Sequence, residues 1–147
     1  MKVLLVDDNP ANRRAGQRQL MAAGHEVVTT CEYVEALRLA QTEDFDVALL
    51  DLFMPAEALT LGPDARAQHV GVETPVGFPL VLAMAAKVKY LAVATDTNHH
   101  NHPMSAAVDW FGHRAITIDS AKVRIMHAPL KDGVKDWAEV LKRLLAD

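Results

Sequence analysis

Apolar residues along the chain come in short bursts, and the spacing within each burst tells strand from helix. Lys2–Val6 is a compact β-branched run ended by two aspartates, and it predicts a first strand. Asn9-Pro10 then reads as a helix start, with Asn9 capping and Pro10 in the first turn. Gly16, Leu20 and Ala23 recur at i, i+4 and i+7, and Gly24 stops that helix. Glu26–Thr30 is a second strand, and Tyr33, Ala36, Leu37 and Ala40 return to helical spacing. Val47–Leu50 is continuously apolar, as a strand covered on both faces must be.

The pattern loosens from residue 55 to 79, where four prolines and three glycines fall within 25 residues. That composition predicts an irregular insertion. Leu80–Lys87 then reads as helix and Val88–Thr95 as a fourth buried strand. A polar loop spans His99–Pro103, and Pro103 opens a helix to about Trp110. Ala115–Asp119 and Lys122–Met126 are both strand-like. Val134, Trp137, Ala138, Leu141, Leu144 and Leu145 form an amphipathic stripe for a last helix. Strands that alternate with helices predict a parallel sheet with helices on both faces, a three-layer, doubly wound α/β domain.

Composition narrows the function classes. A chain of 147 residues, half of them hydrophobic, is one domain that can bury a core without disulfides. A net charge of −4 argues against nucleic-acid binding by bulk electrostatics. No apolar run approaches a membrane span, and the acidic turn at Asp7 is unlike a signal peptide. The one cysteine, Cys31, excludes an internal disulfide and fits a reducing cytoplasm.

In such sheets ligands sit at the C-terminal ends of the strands. Asp7 and Asp8 end the first predicted strand and Asp51 the third, so three carboxylates converge if those strands are neighbours. Three anions that close call for a cation, and a hard oxygen set suits Mg²⁺. A carboxylate beside Mg²⁺ is a plausible phosphoryl acceptor. Asp96, His99, His100 and His102 form a second constellation on the same rim, read as a polar loop that caps the next helix or as secondary ligands. No Gly-rich phosphate loop and no nucleophile elbow is present.

The segments Val3–Pro10, Leu20–His25, Glu35–Leu37 and Asp46–Pro55 resemble the receiver domain of two-component response regulators, the CheY-like family. The Asp51-Leu52-Phe53-Met54-Pro55 run is the most specific of them. The resemblance is close over residues 2–55 and looser beyond. It implies a five-stranded sheet in the order 2-1-3-4-5, here with room for one extra edge strand. It implies that Asp51 is the phospho-acceptor. Mg²⁺ would be held by Asp8, Asp51 and the Phe53 carbonyl, with Asp7 acting through water. Thr95 would sense the phosphoryl group. The implied partners are a histidine kinase or phosphotransfer protein and a downstream protein, with no nucleic acid and no membrane.

The chain also departs from the family. The strand-five lysine is not found in register: if strand five is Lys122–Met126, Ala128-Pro129 stands where Lys-Pro is usual, and if it is Ala115–Ile118, the place falls near Asp119 with Lys122 the nearest substitute. The aromatic switch position holds Ile125 or Ile116, and Asp96 adds a charge after the threonine. The expectation is therefore a stand-alone phosphorelay receiver with an impaired switch, not an enzyme beyond self-phosphorylation and slow dephosphorylation. The alternatives are a pseudo-receiver that binds partners without phosphate, or a small metal-dependent enzyme.

Overall fold

The structure, a computed structural model, describes residues 1–57, 69–97, 102–112 and 114–146. The expected alternation is present. Strand β1 (Lys2–Val6) leads into α1 (Pro10–Ala22), β2 (Glu26–Thr30), α2 (Tyr33–Thr42) and β3 (Val47–Asp51). Asn9 caps α1 by accepting from the Ala11 and Asn12 amides at 2.9 and 3.3 Å. A short hairpin of β4 (Met54–Pro55) and β5 (Glu73–Thr74) follows, then α3 (Gly77–Met84), β6 (Tyr90–Thr95) and α4 (Pro103–Phe111). The chain ends with β7 (Ile116–Ile118), β8 (Ala121–His127), β9 (Leu130–Lys131), β10 (Val134–Lys135) and α5 (Trp137–Leu145).

The main sheet has six strands in the order β2-β1-β3-β6-β8-β7. Its first five are parallel, and β7 pairs antiparallel with β8 as the extra edge strand. The order matches the expected 2-1-3-4-5, with β6 and β8 as fourth and fifth strands. Alternate strand residues feed two cores. Val3, Leu5, Val47, Leu49, Ala92 and Ala94 meet Leu20 of α1 and Trp137, Val140, Leu141 and Leu144 of α5. Leu4, Val6, Ala48, Leu50, Leu91 and Val93 meet α2, α3 and α4 on the other face.

Two sequence expectations are corrected here. Residues 55–79 are not wholly irregular: Met54 pairs with Thr74 and Pro55 with Glu73, so the insertion begins and ends in a β-ribbon, while residues 58–68 lie outside the described residues. Val134 does not begin the last helix. It lies in β10, which pairs antiparallel with β9 across the Asp132-Gly133 turn. Both turn residues have positive φ, 53° and 79°, as a two-residue hairpin with the right twist requires.

Helix α1 approaches the sheet closely at Gly16. A Cβ there would lie 2.5 Å from the Trp137 indole and 2.7 Å from Leu5. Trp137 is fully buried and cannot swing away. Gly16→Ala should therefore destabilise the fold by about 1–3 kcal/mol through overpacking, despite the better helix propensity of alanine. Denaturant unfolding checks this, and an unchanged or raised midpoint would show that α1 is free to shift.

Candidate functional site

Strands β1 and β3 are neighbours, so their C-terminal ends bring three carboxylates together. Oxygen atoms of Asp7, Asp8 and Asp51 lie within 4.8 Å of one another. Asp7 is fully buried and Asp51 nearly so. Asp8 is half-buried and lines a cavity of about 360 Å³ with Asp51, Phe53, Glu73 and Asp96.

A lysine stands inside this cluster. Lys135 has no exposed side-chain surface. Its Nζ is 2.7 Å from Asp51 Oδ1, 3.2 Å from Asp7 Oδ2 and 3.9 Å from Asp96 Oδ1. The expectation that the fifth strand brings no lysine is thus overturned. After β8 the chain passes Ala128-Pro129, makes the β9–β10 hairpin, and returns: the Asp136 amide donates to the Pro129 carbonyl at 2.8 Å. The hairpin loops out and returns, so that Lys135 reaches the acidic rim. Helix α1 pins it there. Asn12 Oδ1 accepts from the Lys135 amide at 3.0 Å, and Gln19 Oε1 accepts from the Trp137 amide at 2.9 Å.

Lys122, the substitute expected from the sequence, is elsewhere. It pairs with Tyr90 at the start of the strands, five residues or about 16 Å below the rim. Its Nζ donates to the Ala146 carbonyl.

The remaining candidates divide. Thr95 ends β6, is buried, and its hydroxyl accepts from the Thr97 amide at 3.0 Å. Asp96 receives Asn12 Nδ2 at 3.4 Å. His102 caps α4 through Nδ1 on the Met104 amide at 3.1 Å and packs its ring 4.5 Å from that of Phe53. It thus takes the capping role and borders the rim. His99 and His100 lie outside the described residues. Ile125 is buried on β8, so no aromatic ring stands at that position of the fifth strand. Glu73 was not anticipated: the β4–β5 ribbon swings it onto the cavity, and burial with Asp8 and Asp96 nearby raises its pKa.

Burial pushes the Asp51 carboxyl well above the usual carboxylate range, against the pull of Lys135 and with help from Asp7. Burial raises Asp7 as well. Burial alone would lower the Lys135 pKa, but Asp51, Asp7 and Asp96 outweigh it and hold the ammonium charged. The donor set is hard oxygen throughout, and Lys135 occupies one oxygen each of Asp51 and Asp7. Asp8, Asp51 and Phe53 line the same cavity, and the carboxylate cluster of Asp7, Asp8 and Asp51 is a hard-oxygen set that fits Mg²⁺.

Comparison with known proteins shows what this arrangement resembles. Residues 3–65 match the response regulator receiver domain. Over those residues, less than half of the chain, the sequence is similar to that family. It is 40% identical over 55 residues to the sensory/regulatory protein RpfC of Xanthomonas campestris pv. campestris, a match covering 37% of this chain and 8% of that protein. The chemotaxis response regulator CheY4 of Vibrio cholerae superposes with a TM-score of 0.57 at 25% identity, covering 98% of both chains. TrrA of Thermotoga maritima, solved with Mg²⁺ and BeF, superposes at 0.53 with 20% identity and 98% of both chains. The receiver fold therefore extends across the part of the chain where sequence resemblance fades. Among the described residues, no helix is long and apolar enough to cross a membrane.

The raised Asp51 pKa sets a pH dependence. The folded state holds this proton longer than the unfolded chain, whose carboxyl titrates near 3.8. Ionisation as pH climbs from there through the folded pKa therefore lowers stability. Lys135 acts oppositely: its raised pKa contributes stability that is full below 10.5 and lost only above it. Asp51→Asn should then melt about 2–4 °C higher than the native chain at neutral pH without divalent cations, as roughly 1 kcal/mol produces in a domain of this size. The gap should close as pH falls into the carboxylate range. A lower melting temperature at neutral pH would mean that the Lys135 contact outweighs the burial of the charge.

Proposed function

We propose that this receiver accepts a phosphoryl group on Asp51 from a histidine kinase or phosphotransfer protein and relays the change to a downstream protein. The observation that carries this reading is the 2.7 Å contact between Lys135 and Asp51. A buried ammonium beside a buried carboxylate at a solvent-reached pocket is poised for an anion that arrives on that carboxylate. An Asp51 oxygen attacks the phosphorus of the donor, the bond to the donor's leaving atom breaks, and an acyl phosphate remains. Mg²⁺, held by Asp8, Asp51 and the Phe53 carbonyl, would neutralise phosphoryl oxygens. Lys135 exchanges its Asp51 oxygen for a phosphoryl oxygen, and the Thr95 hydroxyl leaves the Thr97 amide to donate to another. Beyond this transfer and slow hydrolysis of the acyl phosphate, the chain is no enzyme in this reading.

A second reading, a pseudo-receiver that binds partners without phosphate, has its own support. Asp96 and Glu73 both line the pocket mouth and repel an incoming phosphoryl donor. Incubation with Mg²⁺ and acetyl phosphate, followed by intact mass, separates the two. A single phosphoryl adduct, absent in Asp51→Asn, is expected, and an unmodified mass would favour the pseudo-receiver.

Lys135 has its own test. Removing a charge-assisted contact of about 1.5–3 kcal/mol should weaken the affinity for beryllofluoride with Mg²⁺ by roughly 10–100-fold in Lys135→Met. Unchanged affinity in that variant, measured by Trp137 fluorescence beside the site, would remove the lysine from the switch.

A further inference from the structure

The acidic pocket leaves the opposite edge of the sheet unexplained. There a cavity of about 250 Å³ lies between α4, β8 and α5, and three arginines line it: Arg114 after α4, Arg124 on β8 and Arg143 on α5. Its one carboxylate, Asp109, already faces His127 at 3.0 Å. Arg143 gives its Nε to Glu139 at 3.1 Å. Arg124 Nε is buried and has no hydrogen-bond partner among the described residues. Neither Arg114 nor Arg124 forms an ion pair among the described residues.

Three guanidinium groups around one small cavity repel one another. A buried N–H without an acceptor adds a further penalty. One ligand relieves both. A phosphate or carboxylate offers paired oxygens that match the guanidinium fork, and arginine keeps its charge at every pH a protein meets. The volume suits a small anionic group with a short attachment rather than a whole cofactor. We propose that this cavity is a binding site for an anionic group of the phosphate or carboxylate class, held by Arg114, Arg124 and Arg143. The site shares no residue with the Asp7–Asp51 pocket, so it stands whether or not Asp51 takes a phosphoryl group.

The group can come from a free phosphorylated small molecule or from an acidic segment of a partner protein. Amide NMR spectra of the full chain, in magnesium-free buffer, distinguish the sources. One titration uses inorganic phosphate, the second a tetraglutamate peptide, and a third sodium chloride at matched ionic strength. Saturable shifts at Gly112 and Arg124–His127 are expected with phosphate or peptide and not with chloride. Tighter phosphate binding assigns the free small molecule, and tighter peptide binding the partner segment. Arg124→Gln should weaken the binding at least tenfold. Because Arg124 is partly buried, the exposed Arg114→Gln is the companion variant: it should weaken binding several-fold with an unchanged melting temperature. The proposal is overturned by the absence of saturable shifts with both probes, by equal shifts with chloride, or by native affinity in Arg114→Gln.

Discussion

One ammonium group holds the acidic end of this sheet together. Lys135 Nζ sits between Asp51 and Asp7 with all three side chains at most 6% exposed. A buried charge without a partner is among the most costly features a fold can carry. The lysine offsets part of the cost of burying the two carboxylates, and they in turn hold its ammonium charged. The pairing therefore ties β1, β3 and the β9–β10 hairpin into one unit. Helix α1 completes it from behind, through Asn12 and Gln19 on the backbone either side of Lys135, and through Gly16 under Trp137. Lys135 Nζ also lies 5.2 Å from the Trp137 ring centroid, so the residue that fills the core under α1 is the one that faces the charge.

The same geometry explains what could be read from the sequence. Strands β1, β3 and β6 were legible because continuous apolar runs leave few other places to go, and β2 from its Val and Thr content. Asp7, Asp8 and Asp51 were legible because strand ends can be located from those runs, and a parallel sheet collects strand ends on one rim. The lysine was not, since the resemblance places it directly after the fifth strand. A six-residue hairpin, Leu130–Lys135, lies in between. Its signal was present: Lys131-Asp132-Gly133-Val134 is a two-residue Asp-Gly turn, among the strongest local hairpin marks there are. The apolar Val134 instead joined the helical stripe of Trp137 and Leu141 by spacing alone. Glu73 was illegible for a different reason, because its place depends on pairing between Pro55 and Glu73 across residues whose composition reads only as loop.

The fifth strand shows what the hairpin does for the site. In a direct connection from β8 to α5, the residue after the strand would carry the lysine itself. Here Ala128 fills that position, and the Asp136–Pro129 backbone bond closes the detour so that the helix still starts in place. The fold thus keeps two requirements apart: α5 must begin at Trp137 to cover the sheet, and an ammonium must reach Asp51. A chain can lengthen the connection freely as long as both ends of the insertion meet, because loop closure costs rise only slowly with length.

Charge balance decides how the rim behaves. Among the described residues, Asp7, Asp8, Asp51, Glu73 and Asp96 gather around the one ammonium of Lys135, while Arg13 donates to main-chain carbonyls of Asp7 and Asp8. The excess negative charge favours a divalent cation and opposes any anion that comes without one. Ile125 places no aromatic ring on this part of the fifth strand, and hydrogen bonds link the rim to α4. The path is short: the Thr97 amide donates to the Thr95 hydroxyl, and the Thr97 carbonyl accepts from Ser105 on α4. A Thr95 hydroxyl drawn toward the pocket releases the Thr97 amide, and the strand end and the start of α4 must readjust together. The rim and α4 are thereby tied by a main-chain link on the same face.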